Sequence, residues 1–195
     1  MPPRAAPRAA VRKQQKSAVS AFTPVPVGVL TVFTDGACVG NGRSSAKGGY
    51  ACVWPDHPEL TGGWPLRDGE TPTNNRAEFT AFLRACKDAD VADPVSGAPG
   101  TQRTLHVFTD SQLLVKTVSN WLPVWRKNGW KKRDGTSVMN LDLCERIAEA
   151  CDRRPVRMTH VRAHTTGKDA ASNHNRLADE LAGIAMRRQE RVRPK

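Results

Sequence analysis

Two stretches decide how this chain folds: VFTDGACVGNG at residues 32–42 and VFTDSQLLVKT at residues 107–117. Both open on the same four letters, and each copy closes an apolar, β-branched run on an aspartate. Runs of that composition, bounded by a turn or a helix-start signal, read as strands. The first strand is expected to begin near Val27 and to end on Asp35; another, from Arg103, ends at Asp110. If the two are parallel neighbours, both acids meet beyond the carboxyl ends of the strands, where open α/β sheets usually place their ligands.

The rest of the chain fits that frame. Gly48–Trp54 reads as a second strand and Leu60–Leu66 as a third. Thr73-Asn74-Asn75 supplies helix-start chemistry for a helix over Arg76–Ala89. Asp110-Ser111 opens another helix, expected to end near Trp121. A broken basic stretch covers 121–137, a helix Val138–Cys151, a strand Val156–Val161, a polar loop 163–173, and a last helix roughly 174–188. The order β β β α β α α β α predicts an α/β protein, a mixed sheet flanked by helices.

Composition narrows the partner. The chain has 195 residues and a formal net charge of +11, which points to a polyanion. The charge is unevenly placed: residues 1–26 hold five basic residues and no acid, 187–195 five against one acid, and 121–136 five against one acid. The body is otherwise near neutral. Residues 1–26, rich in Ala, Pro and Arg, read as a disordered basic tail; a mitochondrial targeting segment is the alternative reading. The five cysteines, an odd number with no C-x-x-C pair, read as reduced thiols of an intracellular protein with no zinc site. No apolar run is long enough to span a bilayer.

Two carboxylates a few ångströms apart repel one another, and a site that keeps both ionised normally holds a cation. Hard oxygen ligands suit Mg²⁺ or Mn²⁺. Glu78, one turn into a helix, and Asp179, inside NRLADELA, offer two more acids. Taken singly, each is an ordinary solvated helix acid or a partner of the helix dipole.

Five segments in order, FTDGACVGNG, TNNRAEF, FTDSQLL, NWLPVWRKNGWKK and HNRLADELA, resemble type 1 ribonuclease H over about residues 29–186. The resemblance implies a ribonuclease H-like fold with a five-stranded mixed sheet and a basic helical handle. It implies a catalytic domain over 27–188, between the tail at 1–26 and a short basic tail at 189–195. Asp35, Glu78, Asp110 and Asp179 become ligands for two Mg²⁺ ions, with Mn²⁺ as a substitute. His164 becomes a proton-handling residue on a loop, with His174 as a rival because 15 residues separate His164 from Asp179. The activity implied is endonucleolytic hydrolysis of the RNA strand of RNA–DNA hybrids, giving 3′-hydroxyl and 5′-phosphate ends.

Substrate contacts follow from the same motifs. Cys38, Gly40, Asn41, Asn75 and Gln112 are candidates to read the RNA strand, whose 2′-hydroxyl distinguishes it from DNA; Asn41 also suits a simple turn and Gln112 a helix cap. Asn74 is expected on the DNA side, Thr73 and Asn140 in a pocket for a DNA phosphate, and Asn175 among the substrate contacts. The arginine that some members place two residues before the threonine is Thr71 here. Trp121, Trp125, Lys127, Lys131 and Lys132 combine flat apolar faces with cations, as a nucleic-acid groove requires; Trp130 is expected partly in the core. The rival readings are a hybrid- or RNA-binding module without catalysis, an integrase or junction resolvase on the same fold, and a small-molecule phosphatase. A monomer in the cytoplasm or the nucleus or nucleoid is the default expectation.

Overall fold

The computed structural model describes residues 28–67, 71–94, 102–162 and 169–192. The tail at 1–26, the loop residue His164 and residues 193–195 lie outside the described residues.

Five strands, β1 (Val29–Val39), β2 (Lys47–Val53), β3 (Gly62–Pro65), β4 (Thr104–Thr109) and β5 (Val156–His160), form one sheet in the order β3-β2-β1-β4-β5. The first three make an antiparallel meander, while β4 lies parallel to β1 and β5 parallel to β4. The two VFTD copies pair in register, Val32 with Val107 and Phe33 with Phe108. Asp110 follows the end of β4, as expected. Asp35 does not end its strand: β1 loses β4 after Phe33 and continues to Val39 on β2, with Asp35 opposite Ala51. The reading from sequence stopped too early because Gly36 and Gly40 look like turn residues, whereas Gly36 lies inside a hairpin.

Helices cover both faces. α1 (Asn74–Ala92) is capped by Thr73, whose hydroxyl accepts the Arg76 N–H at 3.1 Å. It ends at Asp93, whose backbone leaves the helical region at φ −149° and ψ 79° just before Pro94, since a residue before proline is disfavoured in the helical conformation. Its alanines at 77, 81, 85 and 89 are buried and let the helix lie close to the sheet. With Phe79 and Phe82 they join Leu30, Val32, Leu105, Val107 and Ile147 in the main core. Each large side chain buried there contributes roughly 1.5–3 kcal/mol.

α2 (Gln112–Lys116) runs through a π-helical turn at Thr117–Trp121 into α3 (Leu122–Lys127). The helix expected to stop near Trp121 therefore continues six residues further. Pro123 does not break it, because it sits in the first turn of α3, where a missing N–H costs little. α4 (Leu141–Arg153) starts later than expected, since Asn140 is left-handed at φ 53° and cannot be a helical residue. α5 (Ala170–Val192) starts earlier and ends later. Its first turn is held by Asp169, which accepts from the Ser172 N–H at 2.9 Å and the Ser172 hydroxyl at 2.7 Å.

α5 packs on the opposite face, and this contact depends on glycine. A Cβ on Gly49 would lie 2.4 Å from the Met186 nitrogen, and one on Gly63 2.7 Å from the Leu181 oxygen. With Ala178, Ala182 and Ala185 facing inward, the backbones of helix and sheet nearly touch. That close approach brings Asp179 within electrostatic reach of Asp35. All five cysteines are free. No helix among the described residues is long and apolar enough to cross a membrane.

Candidate active site

β1, β4 and α1 converge on three carboxylates. Asp35, Glu78 and Asp110 each offer an oxygen, and these oxygens lie within 4.8 Å of one another. Asp35 and Glu78 are buried, 4% and 3% exposed, and Asp110 is half-buried. The approach of α1 to β1 is set by Gly36: a Cβ there would stand 2.4 Å from the Glu78 nitrogen and 2.6 Å from the Ala77 carbonyl carbon. Any larger residue would push Glu78 away from Asp35.

The electrostatics are adverse without a counter-charge. Burial pushes the Asp35 carboxyl up to about 8, with repulsion from Asp110 and then Asp179 adding to the rise. Burial also drives Glu78 well above the ordinary carboxylate range, with Asp35 and then Asp110 contributing. The Gly36 N–H opposes both shifts, and the Thr109 hydroxyl opposes that of Glu78. Glu78 Oε2 is buried with no hydrogen-bond partner among the described residues. An unpartnered buried carboxylate oxygen beside two further carboxylates fits a hard divalent cation.

Asp179 stands apart from the trio. It lines an adjoining cleft with Asp110, Asn175 and Glu180, flanked by Arg162 and Arg176. Its charge still reaches Asp35. Asn175 is 4% exposed, and its Oδ1 is buried without a partner among the described residues. His174 packs its ring 5.1 Å from that of Phe33.

The other candidates fall into two groups. The first surrounds the start of α1. Gly40 has φ +70° and Gly42 φ +78°, so the turn holding Asn41 needs both glycines. Asn41 Oδ1 accepts the Asn74 N–H at 2.8 Å, and the Gly42 N–H reaches the Pro72 carbonyl at 2.9 Å. Asn41 therefore does work as a structural residue, tying the turn to the helix start. Cys38 is half-buried, while Asn74, Asn75 and Gln112 are exposed. Ser111, rather than Gln112, caps α2, accepting the Leu114 N–H at 3.2 Å.

The second group is a groove. Asn75, Trp121, Trp125, Lys132 and Asn140 share it, over a floor that includes Phe79 and Leu113. The Trp121 and Trp125 ring centres lie 5.4 Å apart. Lys127 and Lys131 are exposed outside the lining of that groove. Trp130, at φ 62°, packs against the core as expected. Asn140 Oδ1 accepts from Arg76 at 3.4 Å, and Arg76 also grips Asp142 through two bonds of 3.0 and 2.7 Å.

Sequence reasoning missed Gly36, Thr109 and Arg162 beside the acids, and Arg76 beside Asn140. Gly36 follows Asp35 directly, and an aspartate–glycine pair after a strand was read only as a turn. Arg76 stands inside the quoted TNNRAEF motif without a role assigned to it.

This is an α/β fold with a carboxylate cluster where the central strands β1 and β4 of a mixed sheet part, and an aromatic groove carrying Lys132 beside it. A family model described as RNase H matches residues 28–187, and the chain belongs to the ribonuclease H family. It is 32% identical over 163 residues to the ribonuclease H of Thiobacillus denitrificans, covering 83% of this chain and 97% of that one. It is 34% identical to that of Dechloromonas aromatica, covering 79% and 96%. Among solved structures, the PFV RNase H domain superposes with a TM-score of 0.62 at 24% identity, over 81% of this chain and 94% of that one. LC11-RNase H1, solved in complex with an RNA/DNA hybrid, gives 0.54 at 19% identity, over 83% and 99%.

Proposed function

We propose that this chain hydrolyses the RNA strand of RNA–DNA hybrids, with Mg²⁺ held by Asp35, Glu78, Asp110 and Asp179. The observation that carries the reading is the Asp35–Glu78–Asp110 cluster, whose ligand oxygens lie within 4.8 Å of one another, in a chain of the ribonuclease H family. Pure binding of a polyanion gains nothing from clustered buried acids, which argues against a non-catalytic module. The all-oxygen donor set suits Mg²⁺ or Mn²⁺ better than zinc. When bound, two such ions acidify the attacking water and neutralise charge on the departing 3′ oxygen.

The protein's own contribution is placement. Asp35 on β1 and Asp110 just after β4 hold the centre of the site. Glu78 closes it from α1, on the side of the leaving group, and Asp179 from α5, on the side of the attacking water. Asn41, Asn75 and Gln112 address the 2′-hydroxyls of the RNA strand, with backbone around Cys38 and Gly40. Asn74, Thr73 and Asn140 face the DNA strand. Trp121 and Trp125 present ring faces tilted 39° to one another to its sugars, with Lys127, Lys131 and Lys132 for its phosphates. Asn175 turns a buried amide toward the cleft beside Asp179. Water attacks phosphorus, the bond to the 3′ oxygen breaks, and that oxygen takes up a proton, leaving 3′-hydroxyl and 5′-phosphate ends. We assign the proton traffic to His164, since imidazole is the side chain whose charge can change near neutral pH.

The test is an end-labelled RNA strand presented alone, paired with RNA and paired with DNA, beside an all-DNA control, in Mg²⁺ with and without EDTA. Cuts confined to the RNA–DNA duplex and abolished by EDTA are expected. Tight hybrid binding with no cut in Mg²⁺ or Mn²⁺ would favour the binding module instead.

A further inference from the structure

A second basic concavity lies away from the carboxylates, between the β2–β3 ribbon, α1 and α4. Arg67, Arg84, Lys87 and Arg146 line it, with Tyr50 and Thr80. Four cations converge there from three separate segments of the chain. Asp88 pairs with Arg84, accepting from its Nε at 2.8 and 2.9 Å, while Asp90 and Glu149 line a neighbouring cavity with Lys87 and Arg146. Among the described residues, no ion pair joins Arg67, Lys87 or Arg146 to an acid.

Arg84 is also fixed from the side. Its guanidinium lies 3.7 Å above the Trp64 ring centre. A planar cation held by an aromatic face and a carboxylate on one edge is preorganised to present its remaining donors. Tyr50 is half-buried beside it. Burial raises its phenol above the usual range, while Arg84 and Arg67 draw it back, so the hydroxyl stays a donor at neutral pH. Lys87 and Arg146 are exposed and complete the opening.

The position of this concavity suggests what it takes. Thr80, Arg84 and Lys87 repeat at helical spacing along α1, and Arg146 faces them from α4. The same α1–α4 seam begins at Thr73 and Asn140 and is closed in between by the Arg76–Asp142 pair. Thr80 lies seven positions along from the cap residue Thr73, about 10 Å of rise. A strand held at the start of the seam can thus reach the second site.

We propose that this concavity binds a backbone phosphate of a nucleic-acid strand, as a second anchoring point beyond the catalytic groove. This rests on the hybrid-cleaving reading for its biological sense, but not for its test. The shared chemistry is a phosphate oxyanion; its two sources are a strand and free inorganic phosphate.

The test compares the full chain with the double variant Lys87→Ala/Arg146→Ala, and with Lys87→Arg/Arg146→Lys as the charge-conserving control. Affinity is measured in EDTA, where strands stay intact, for a short hybrid that fills only the catalytic groove, a longer hybrid and a longer DNA duplex. The longer ligands are expected to lose several-fold in affinity, with a salt slope shallower by about 1–2. The short hybrid, cleavage at saturation and the control variant are expected to be unchanged. Equal slopes and affinities on the longer ligands would overturn the proposal, whether or not the protein cleaves hybrid. Thermal stabilisation by inorganic phosphate that disappears in the double variant, with strand binding untouched, would also overturn it by assigning the site to free phosphate. Failure of the wild type to cleave hybrid, with the slope effect on the DNA duplex intact, would fault the activity and leave this site standing.

Discussion

Asp35 and Asp110 stand two residues beyond the same rung of the β1–β4 ladder, the Phe33–Phe108 pair. The repeated VFTD is thus a register mark: two chain segments carry one pattern because they run side by side, and the pattern delivers both acids to one place. The Phe33 and Phe108 rings stack at 4.7 Å beneath them. Glu78 is then supplied by a helix that approaches within backbone contact at Gly36.

Crowding these acids costs stability when no cation is present. Asp35, pushed up to about 8 chiefly by burial, is the member most at odds with its surroundings. In EDTA at neutral pH, Asp35→Asn is expected to raise stability by about 1 kcal/mol or more, roughly 2–4 °C in Tm for each kcal/mol, while removing cleavage in Mg²⁺. Calorimetry in EDTA checks the first part. A lower Tm would mean that the acids are not in conflict.

Gly36→Ala tests the helix–strand contact. Its Cβ would meet backbone rather than a flexible side chain, so the neighbour cannot give way cheaply. The variant is expected to lose about 1–3 kcal/mol in urea denaturation and most of its cleavage rate. Unchanged activity would show that Glu78 need not sit so close.

Far from the site, Arg154 is 3% exposed and ties the end of α1 to the strand beyond it, donating to Asp93 at 2.8 Å, to the Arg103 carbonyl at 3.0 Å and to the Asp93 carbonyl at 2.7 Å. Burial alone would raise the Asp93 carboxyl, but its bonds to Arg154 and the Arg103 N–H and the two positive charges hold it below the ordinary range. The folded state therefore binds this proton less readily than the unfolded chain. The stabilisation is fully present above about pH 4 and is lost as pH falls through the lower folded value. Asp93→Asn is expected to flatten the acid limb of a stability–pH curve. Arg154→Ala should cost about 3–5 kcal/mol, leaving buried partners unanswered.

The groove between α1 and the basic segment is tested by charge. Lys131→Ala/Lys132→Ala is expected to weaken hybrid binding and to make its salt slope shallower by about 1–2, measured at several salt concentrations. Since Lys132 lines the groove with Trp121 and Trp125 and Lys131 does not, the Lys132 variant alone should carry more of the loss. An unchanged slope would count against this groove.

What the sequence made legible was local. The strand–acid echo, the Thr73 cap and the ordered motifs each sit within a few residues of chain, and their pairing follows from one register. What it hid depends on contacts between distant segments. Gly36 looks like a turn until α1 is seen lying on it. Pro123 looks like a helix breaker until the π-helical turn before it places it in a first helical turn. Asp169 is the cap of α5, but its signal was submerged in a polar loop. Asn41 shows both kinds of role at once, a motif residue that also fastens the Gly40–Gly42 turn to Asn74.

The most direct test of the carboxylate centre is single-turnover cleavage of an RNA–DNA hybrid by Asp110→Asn in Mg²⁺, with hybrid affinity measured on the same preparation. The account predicts loss of cleavage with hybrid binding retained, because the cation site is weakened and the groove is untouched. Cleavage at the wild-type rate would contradict it and remove Asp110, and with it the paired-strand centre, from the chemistry.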